Sequence, residues 1–247
     1  MIEFIDIHKR FGPKEVLKGV SLTVAQGQVL YLVGSSGAGK SVLVKHLVGL
    51  LRPDAGRIIL DGQDITWLSE REFYPVRRKC AMVFQNSTLF DAMSILDNVA
   101  LPYRKHFGLS RAEAGRRALD KLALVDMGSA AHRFPADLGD GLRKRVAIAR
   151  ALTLDPEYLI FDEPTTGLDP LAAAQVDALI RDLRADTGVT AIVVSHDLRS
   201  IFTVADRVAM IYEGHIRADG PPAALRASTD PIVEQFLSGR PDGPMNI

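Results

Sequence analysis

The sequence predicts an α/β fold built on a parallel sheet with helices on both faces. Three observations predict it. Residues 29–33, 81–84, 158–161, 190–194 and 207–212 are short apolar runs of buried-strand type. Helical stretches lie between several of them, at 172–184 and 197–204 among others. Finally, Gly34-Ser35-Ser36-Gly37-Ala38-Gly39-Lys40-Ser41 fits G-x-x-x-x-G-K-[ST] and joins the first of those runs to an apolar helical stretch over 42–51.

The other elements follow in order. Residues 2–7 and 16–24 alternate enough to read as strands. Residues 57–60 followed by Asp61-Gly62 read as a strand entering a tight turn. The stretch 95–151 is helical in pattern and rich in Arg and Ala, which marks it as an insertion between two halves of the core. Residues 230–247 carry Gly and Pro breakers after Ser238 and read as an irregular surface tail. Within it, Ile232, Val233, Phe236 and Leu237 are apolar at helical spacing, which points to docking on a partner subunit or on the chain's own core. The expected division is one domain over 1–247. Its α/β core spans 1–94 and 152–229, with a helical subdomain over 95–151 and a tail over 230–247.

Composition excludes several classes. Lys+Arg and Asp+Glu both number 30, so nothing favours bulk binding of nucleic acid or an acidic surface. A single cysteine, Cys80, rules out an internal disulfide and suits a reducing compartment. The start Met1-Ile-Glu-Phe-Ile-Asp6 lacks the basic and apolar regions of a signal peptide, and no run has the roughly 18 apolar residues of a membrane span. The expectation is a cytoplasmic chain whose 47% hydrophobic residues suffice for a sizeable core.

The glycine-rich loop is suited to a triphosphate. Glycines let successive N–H groups close on phosphate oxygens, and the helix N-terminus adds partial positive charge. Lys40 can reach the β and γ phosphates, and the Ser41 hydroxyl can ligate Mg²⁺. Downstream, the apolar run 158–161 ends in Asp162-Glu163. Asp162 can hold Mg²⁺ through water, and Glu163 can act as general base on the attacking water. Gln85 and His196 each follow a buried run. Alone each reads as a surface residue; their order around the other two motifs changes that reading.

Together these motifs resemble the nucleotide-binding subunit of ABC transporters across nearly the whole chain. The resemblance implies a RecA-like P-loop NTPase core, an N-terminal antiparallel β subdomain and a helical subdomain. It implies that Phe11 stacks on adenine, where tyrosine is more usual. Gly34, Ser35, Ser36, Gly37, Ala38, Gly39, Lys40 and Ser41, with Val42, would hold the phosphates of ATP. Gln85 matches the Q-loop glutamine, which touches Mg²⁺ and senses the membrane partner. Ser41, Gln85 and Asp162 would form the metal site, with Glu163 and His196 as catalytic base and switch histidine. Thr166-Gly-Leu-Asp169 matches the D-loop.

One motif departs. The usual signature Leu-Ser-Gly-Gly-Gln is replaced by Leu138-Gly139-Asp140-Gly141-Leu142. In the family this loop contacts ATP on the opposite subunit, so Gly139, Asp140 and Gly141 belong to the expected nucleotide site. Loss of the serine donor and gain of a carboxylate point to a slow ATPase.

The segment 83–102, the run Leu142-Arg-Lys-Arg145 and the tail from Asp230 further resemble the ATPases of Mla-type phospholipid transporters. That resemblance implies a homodimer of the ATPase subunit, integral-membrane permease subunits, an MCE-type lipid-binding protein and a small accessory subunit. It implies a place on the cytoplasmic face of the inner membrane and no nucleic-acid partner. A small-solute importer ATPase is the alternative, as is an ATP-binding switch with weak hydrolysis. The short tail argues against the methionine-importer class.

Overall fold

The computed structural model describes residues 1–245. Strands β1 (Ile2–Phe11) and β2 (Lys14–Val24) pair as an antiparallel hairpin, and Phe11 faces Lys14 across its turn. The alternating segments seen in the sequence extend to Phe11 and back to Lys14, because their charged outer ends still pair. A six-stranded sheet begins with β3 (Val29–Val33), which leads into helix α1 (Lys40–Leu47). The helix is shorter than 42–51: Val48–Leu51 form the turn that leaves it. Strand β4 (Ala55–Leu60) pairs with β1, then returns as β5 (Gln63–Asp64). The turn residues Asp61 and Gly62 have φ of 51° and 82°, the left-handed pair that a two-residue type I′ hairpin needs.

Helix α2 (Phe73–Lys79) precedes β6 (Cys80–Val83). Three helices then fill the region read as an insertion: α3 (Ile95–Phe107), α4 (Arg111–Ala123) and α5 (Asp140–Ala151). Ser94 and Ser110 cap α3 and α4, accepting from the N–H groups of Asp97 and Glu113. The core resumes with β7 (Tyr158–Asp162), α6 (Pro170–Thr187), β8 (Thr190–Val194), α7 (Leu198–Val204) and β9 (Arg207–Tyr212). It closes with β10 (His215–Gly220), α8 (Pro222–Arg226) and α9 (Pro231–Ser238).

The large sheet has the order β10-β9-β3-β8-β7-β6, parallel except for the β9–β10 hairpin. Its central strands are apolar throughout because both faces are covered. Tyr31, Phe161, Val193 and Met210 point into one core with the helices of the insertion. Their neighbours Leu32, Ile160, Val194 and Ile211 point into the other, against α1 and the antiparallel sheet. The period-two alternation thus divides between two cores rather than between core and water.

The irregular tail is corrected. Asp230 accepts from the N–H groups of Ile232 and Val233, so it caps α9, and Pro231 occupies the first helical turn. Ile232 and Val233 are buried in this chain's own core, and Met245 folds back to donate its N–H to Gln235 Oε1. Residues 246 and 247 lie outside the described residues.

Candidate functional site

The C-terminal ends of β3, β6, β7 and β8 converge at one edge of the sheet, where an open parallel sheet binds ligands. The loop 34–39 leaves β3 there. A Cβ on Gly34 would lie 2.1 Å from the carbonyl oxygen of Ile211, so only glycine lets the loop pass that close to β9. The loop ends at Lys40, which begins α1 and is 6% exposed. Its Nζ donates to the carbonyls of Gly34 and Ser35, both at 2.9 Å. Burial pulls the ammonium pKa down, and the nearby Glu163 and Asp162 oppose that pull.

Ser41 Oγ donates to Asp162 Oδ1 at 2.5 Å. The pair places two hard oxygen donors together at the loop, the chemistry of Mg²⁺, which keeps several waters and needs few protein ligands. The donor set therefore fits the metal. Glu163 follows in a left-handed conformation, φ 54°, at a strain of about 1–3 kcal/mol. Its N–H bonds Val194 O, and its Oε2 accepts from Thr166 Oγ1 at 2.9 Å. His196 Nδ1 lies 2.8 Å from the same oxygen, although the imidazole is largely exposed. Glutamate, histidine and threonine thus form one cluster beside the phosphate loop.

A cleft of about 490 Å³ collects these groups. Gly34, Ser35, Ser36, Gly37, Gly39, Lys40, Ser41, Val42, Gln85, Glu163 and His196 line it. Ala38 and Asp162 lie behind the lining, both buried. Phe11 does not reach it: the ring sits at the end of β1, 46% exposed, with the Lys9 ammonium 5.6 Å from its centroid.

The 139–141 loop lies apart as well. Asp140 lines a neighbouring groove with Arg143 and Lys144, which shares Gln85 and Thr166 with the cleft. Asp140 does not cap α5. Gly139 is the N-cap, without a side-chain bond, and Asp140 is the first helical residue, where it pairs with Arg143 at 3.4 Å.

Sequence reasoning missed three residues here. Thr166 was placed in the D-loop only, yet it lines the cleft. Phe236 of α9 lines it too; the sequence shows it only as part of a helically spaced apolar stripe. Lys144 is buried and bonds the carbonyls of Phe84 and Gln85. Burial lowers its pKa to about 8, and Asp162 and Asp140 counteract this. A helical projection would have found it, since Ala147 and Ile148 stack on the same face.

Comparison with known proteins agrees with this geometry. The ABC transporter family model matches residues 17–166. The probable ribonucleotide transport ATP-binding protein mkl of Mycobacterium tuberculosis is 41% identical over all of this chain and 68% of its own length. The intermembrane phospholipid transport system ATP-binding protein MlaF of Escherichia coli is 37% identical over 99% of this chain and 91% of its own. The methionine import ATP-binding protein MetN of Mesorhizobium japonicum is 39% identical over all of this chain and 68% of its own, so similarity does not set that importer class aside. Among solved structures, the dimeric cassette MJ0796 in a post-hydrolysis state with ADP and Pi superposes with a TM-score of 0.82. It is 29% identical over 90% of this chain and 99% of that one. The loop geometry, the Asp162-Glu163 strand end and these matches agree: the chain belongs to the ABC transporter family as its ATP-binding, ATP-hydrolysing domain.

Proposed function

We propose that this chain drives phospholipid transport across a Gram-negative envelope, as a homodimer held on the cytoplasmic face of the inner membrane by permease subunits. The observation that carries the lipid reading is the likeness to MlaF over nearly the whole length of both chains. The Leu142-Arg-Lys-Arg145 run and the α9 tail support it. An MCE-type lipid-binding protein and a small accessory subunit complete the expected assembly.

The loop 34–39, Lys40 and Val42 bind the triphosphate, and the adenine extends out of the cleft to stack on the exposed Phe11 ring. Ser41, Asp162 and Gln85 would hold Mg²⁺, which would neutralise charge on the phosphate oxygens. Glu163 accepts the proton of the water that attacks the γ-phosphorus, and ADP leaves. His196 and Thr166 orient that carboxylate through Oε2. The 139–141 loop reaches the nucleotide of a second copy. ATP therefore closes the dimer, hydrolysis opens it, and the permease reads the change through the surface after Gln85.

Identity of 39% to a methionine importer ATPase supports the small-solute alternative. The test is purification of the intact complex followed by lipid analysis. Copurifying phospholipid, with ATP-dependent transfer to acceptor vesicles, is the expected result. A lipid-free complex whose ATPase responds to a small solute overturns the proposal.

A further inference from the structure

Helix α5 does more than carry the 139–141 loop. Lys144 is only 2% exposed, and its Nζ donates to the carbonyls of Phe84 at 3.1 Å and Gln85 at 2.6 Å. Six residues on, Arg150 donates to Ser87 O at 3.2 Å, Thr88 O at 2.9 Å and Thr88 Oγ1 at 3.0 Å. Four carbonyls of the 84–88 segment are thus claimed by two cations of one helix. Ser87 and Thr88 both have positive φ, 50° and 48°, a conformation that a β-branched residue holds only under constraint. The far side of the segment is fixed as well. Asn98, fully buried, accepts from Phe90 N–H and donates to the carbonyls of Phe90, Met93 and Ser94.

A buried ammonium is costly, and an apolar side chain of similar length would fill the place without that desolvation. The lysine is explained by what it holds. It lies one helical turn from Asp140 and Gly141, and its carbonyl partners are the backbone of Gln85 and the residue before it.

We propose that Lys144 is a positioning residue that fixes the Gln85 loop to the signature helix, so that the two move as one body. It rests on the roles given above to Gln85 and the 139–141 loop. In a dimer, Gln85 faces the subunit's own nucleotide and residues 139–141 face the partner's. A shift at one nucleotide is then passed through Lys144 to the other. The lysine serves communication between two ATP sites as well as the fold.

The test uses the full-length chain in its complex. Lys144→Met keeps length and removes the donor. The expected result is about a tenfold lower kcat, the scale of one lost charge-assisted hydrogen bond, with KM for ATP changed less than about twofold. The Hill coefficient for ATP falls toward one, and the melting temperature falls by a few degrees at most, the effect of leaving two carbonyls without their donor. Lys144→Gln, which keeps N–H donors, recovers most of kcat and cooperativity. In a Gln85→Ala background, Lys144→Met adds less than about a twofold loss, because both act along one path. If the methionine chain melts below the usual assay temperature, all variants are assayed at a lower temperature where it stays folded. Wild-type kcat and cooperativity in Lys144→Met overturn the proposal. So do kinetic losses that add in full to those of Gln85→Ala, which mark a merely structural lysine. Glu163→Gln, run alongside, separates the two readings: retained hydrolysis there means that the site assignment has failed, whatever Lys144 does.

Discussion

Restoring a serine and a glycine at positions 139 and 140 should speed this ATPase. Gly139 occupies the N-cap of α5 with φ −69° and ψ 163°, the geometry in which serine is favoured. No heavy atom lies within 4 Å of a Cβ built there, so Gly139→Ser fits without displacing a neighbour. A hydroxyl at this helix start can donate to a phosphate oxygen of the partner's nucleotide. Such a bond contributes about 1.5–3 kcal/mol, or about 10- to 150-fold in rate where it strengthens in the transition state. Asp140 adds a smaller share. It stands 75% exposed with Arg143 at 3.4 Å, so water and the guanidinium screen its repulsion of phosphate. Asp140→Gly also removes an acid from the first helical turn, a loss of about 0.3–1 kcal/mol in stability. The single change Gly139→Ser should therefore carry most of the gain, with the double change somewhat faster. The assay compares wild type, both single variants and the double variant in one reconstituted complex at saturating Mg-ATP, alongside ATP-driven dimerisation. Equal or lower turnover for Gly139→Ser and for the double variant would refute the reasoning, and would mean that another donor replaces the serine.

Glu163→Gln should keep ATP binding and lower turnover by about 10² to 10⁴, since the amide keeps the Thr166 contact and loses the base; wild-type hydrolysis in the complex would remove the role. Lys40→Ala should weaken nucleotide affinity in a fluorescent-nucleotide titration, because it deletes the cation beside the loop carbonyls, and an unchanged Kd for Mg-ATP would contradict the site. Truncation after Ala227 should lower the melting temperature of the isolated chain, since it uncovers a core that Ile232 and Val233 close at about 1.5–3 kcal/mol each, as well as weaken assembly of the complex. An unchanged melting curve would count against the first half, and normal assembly and transport against the second. Burial pushes the Cys80 thiol up to about 12, so at pH 8 it should resist alkylation until urea unfolds the chain; stoichiometric labelling of the native protein would show that β6 opens.

The sheet was legible because its strands are short, apolar and bounded by turns. A strand buried on both faces has few other ways to be read, and 190–194 and 207–212 coincide with β8 and β9. Boundaries were less legible where pairing continued past the apolar residues. Lys9 to Phe11 and Lys14 to Val16 look like a charged turn in sequence, yet their backbones complete the β1–β2 ladder. Helix α9 was legible only in part, as an apolar stripe at helical spacing whose docking surface was expected on a partner subunit. The glycines and prolines after Ser238 dominated the reading of the rest of the tail. The buried place of Met245 depends on Gln235 Oε1 receiving its N–H, a long-range bond with no local signature.

At the site, the order of motifs located residues that line one cleft, because phosphate chemistry asks for fixed residue types at fixed spacing. Gly34, Lys40, Ser41, Gln85, Glu163 and His196 all line the one cleft. Spacing could not say how those groups act on one another. That Thr166 and His196 meet the same oxygen of Glu163 depends on a left-handed glutamate after β7. That Lys144 grips the backbone of Gln85 depends on β6 ending against the buried face of α5. Both links join a residue named by its motif to one that no motif names. Side chains that meet the nucleotide are selected for their chemistry and leave a pattern in the chain. Side chains that hold them need only the right reach from a neighbouring element. Positioning residues of this kind are read from an interior charge on a helix face, and α5 carries one.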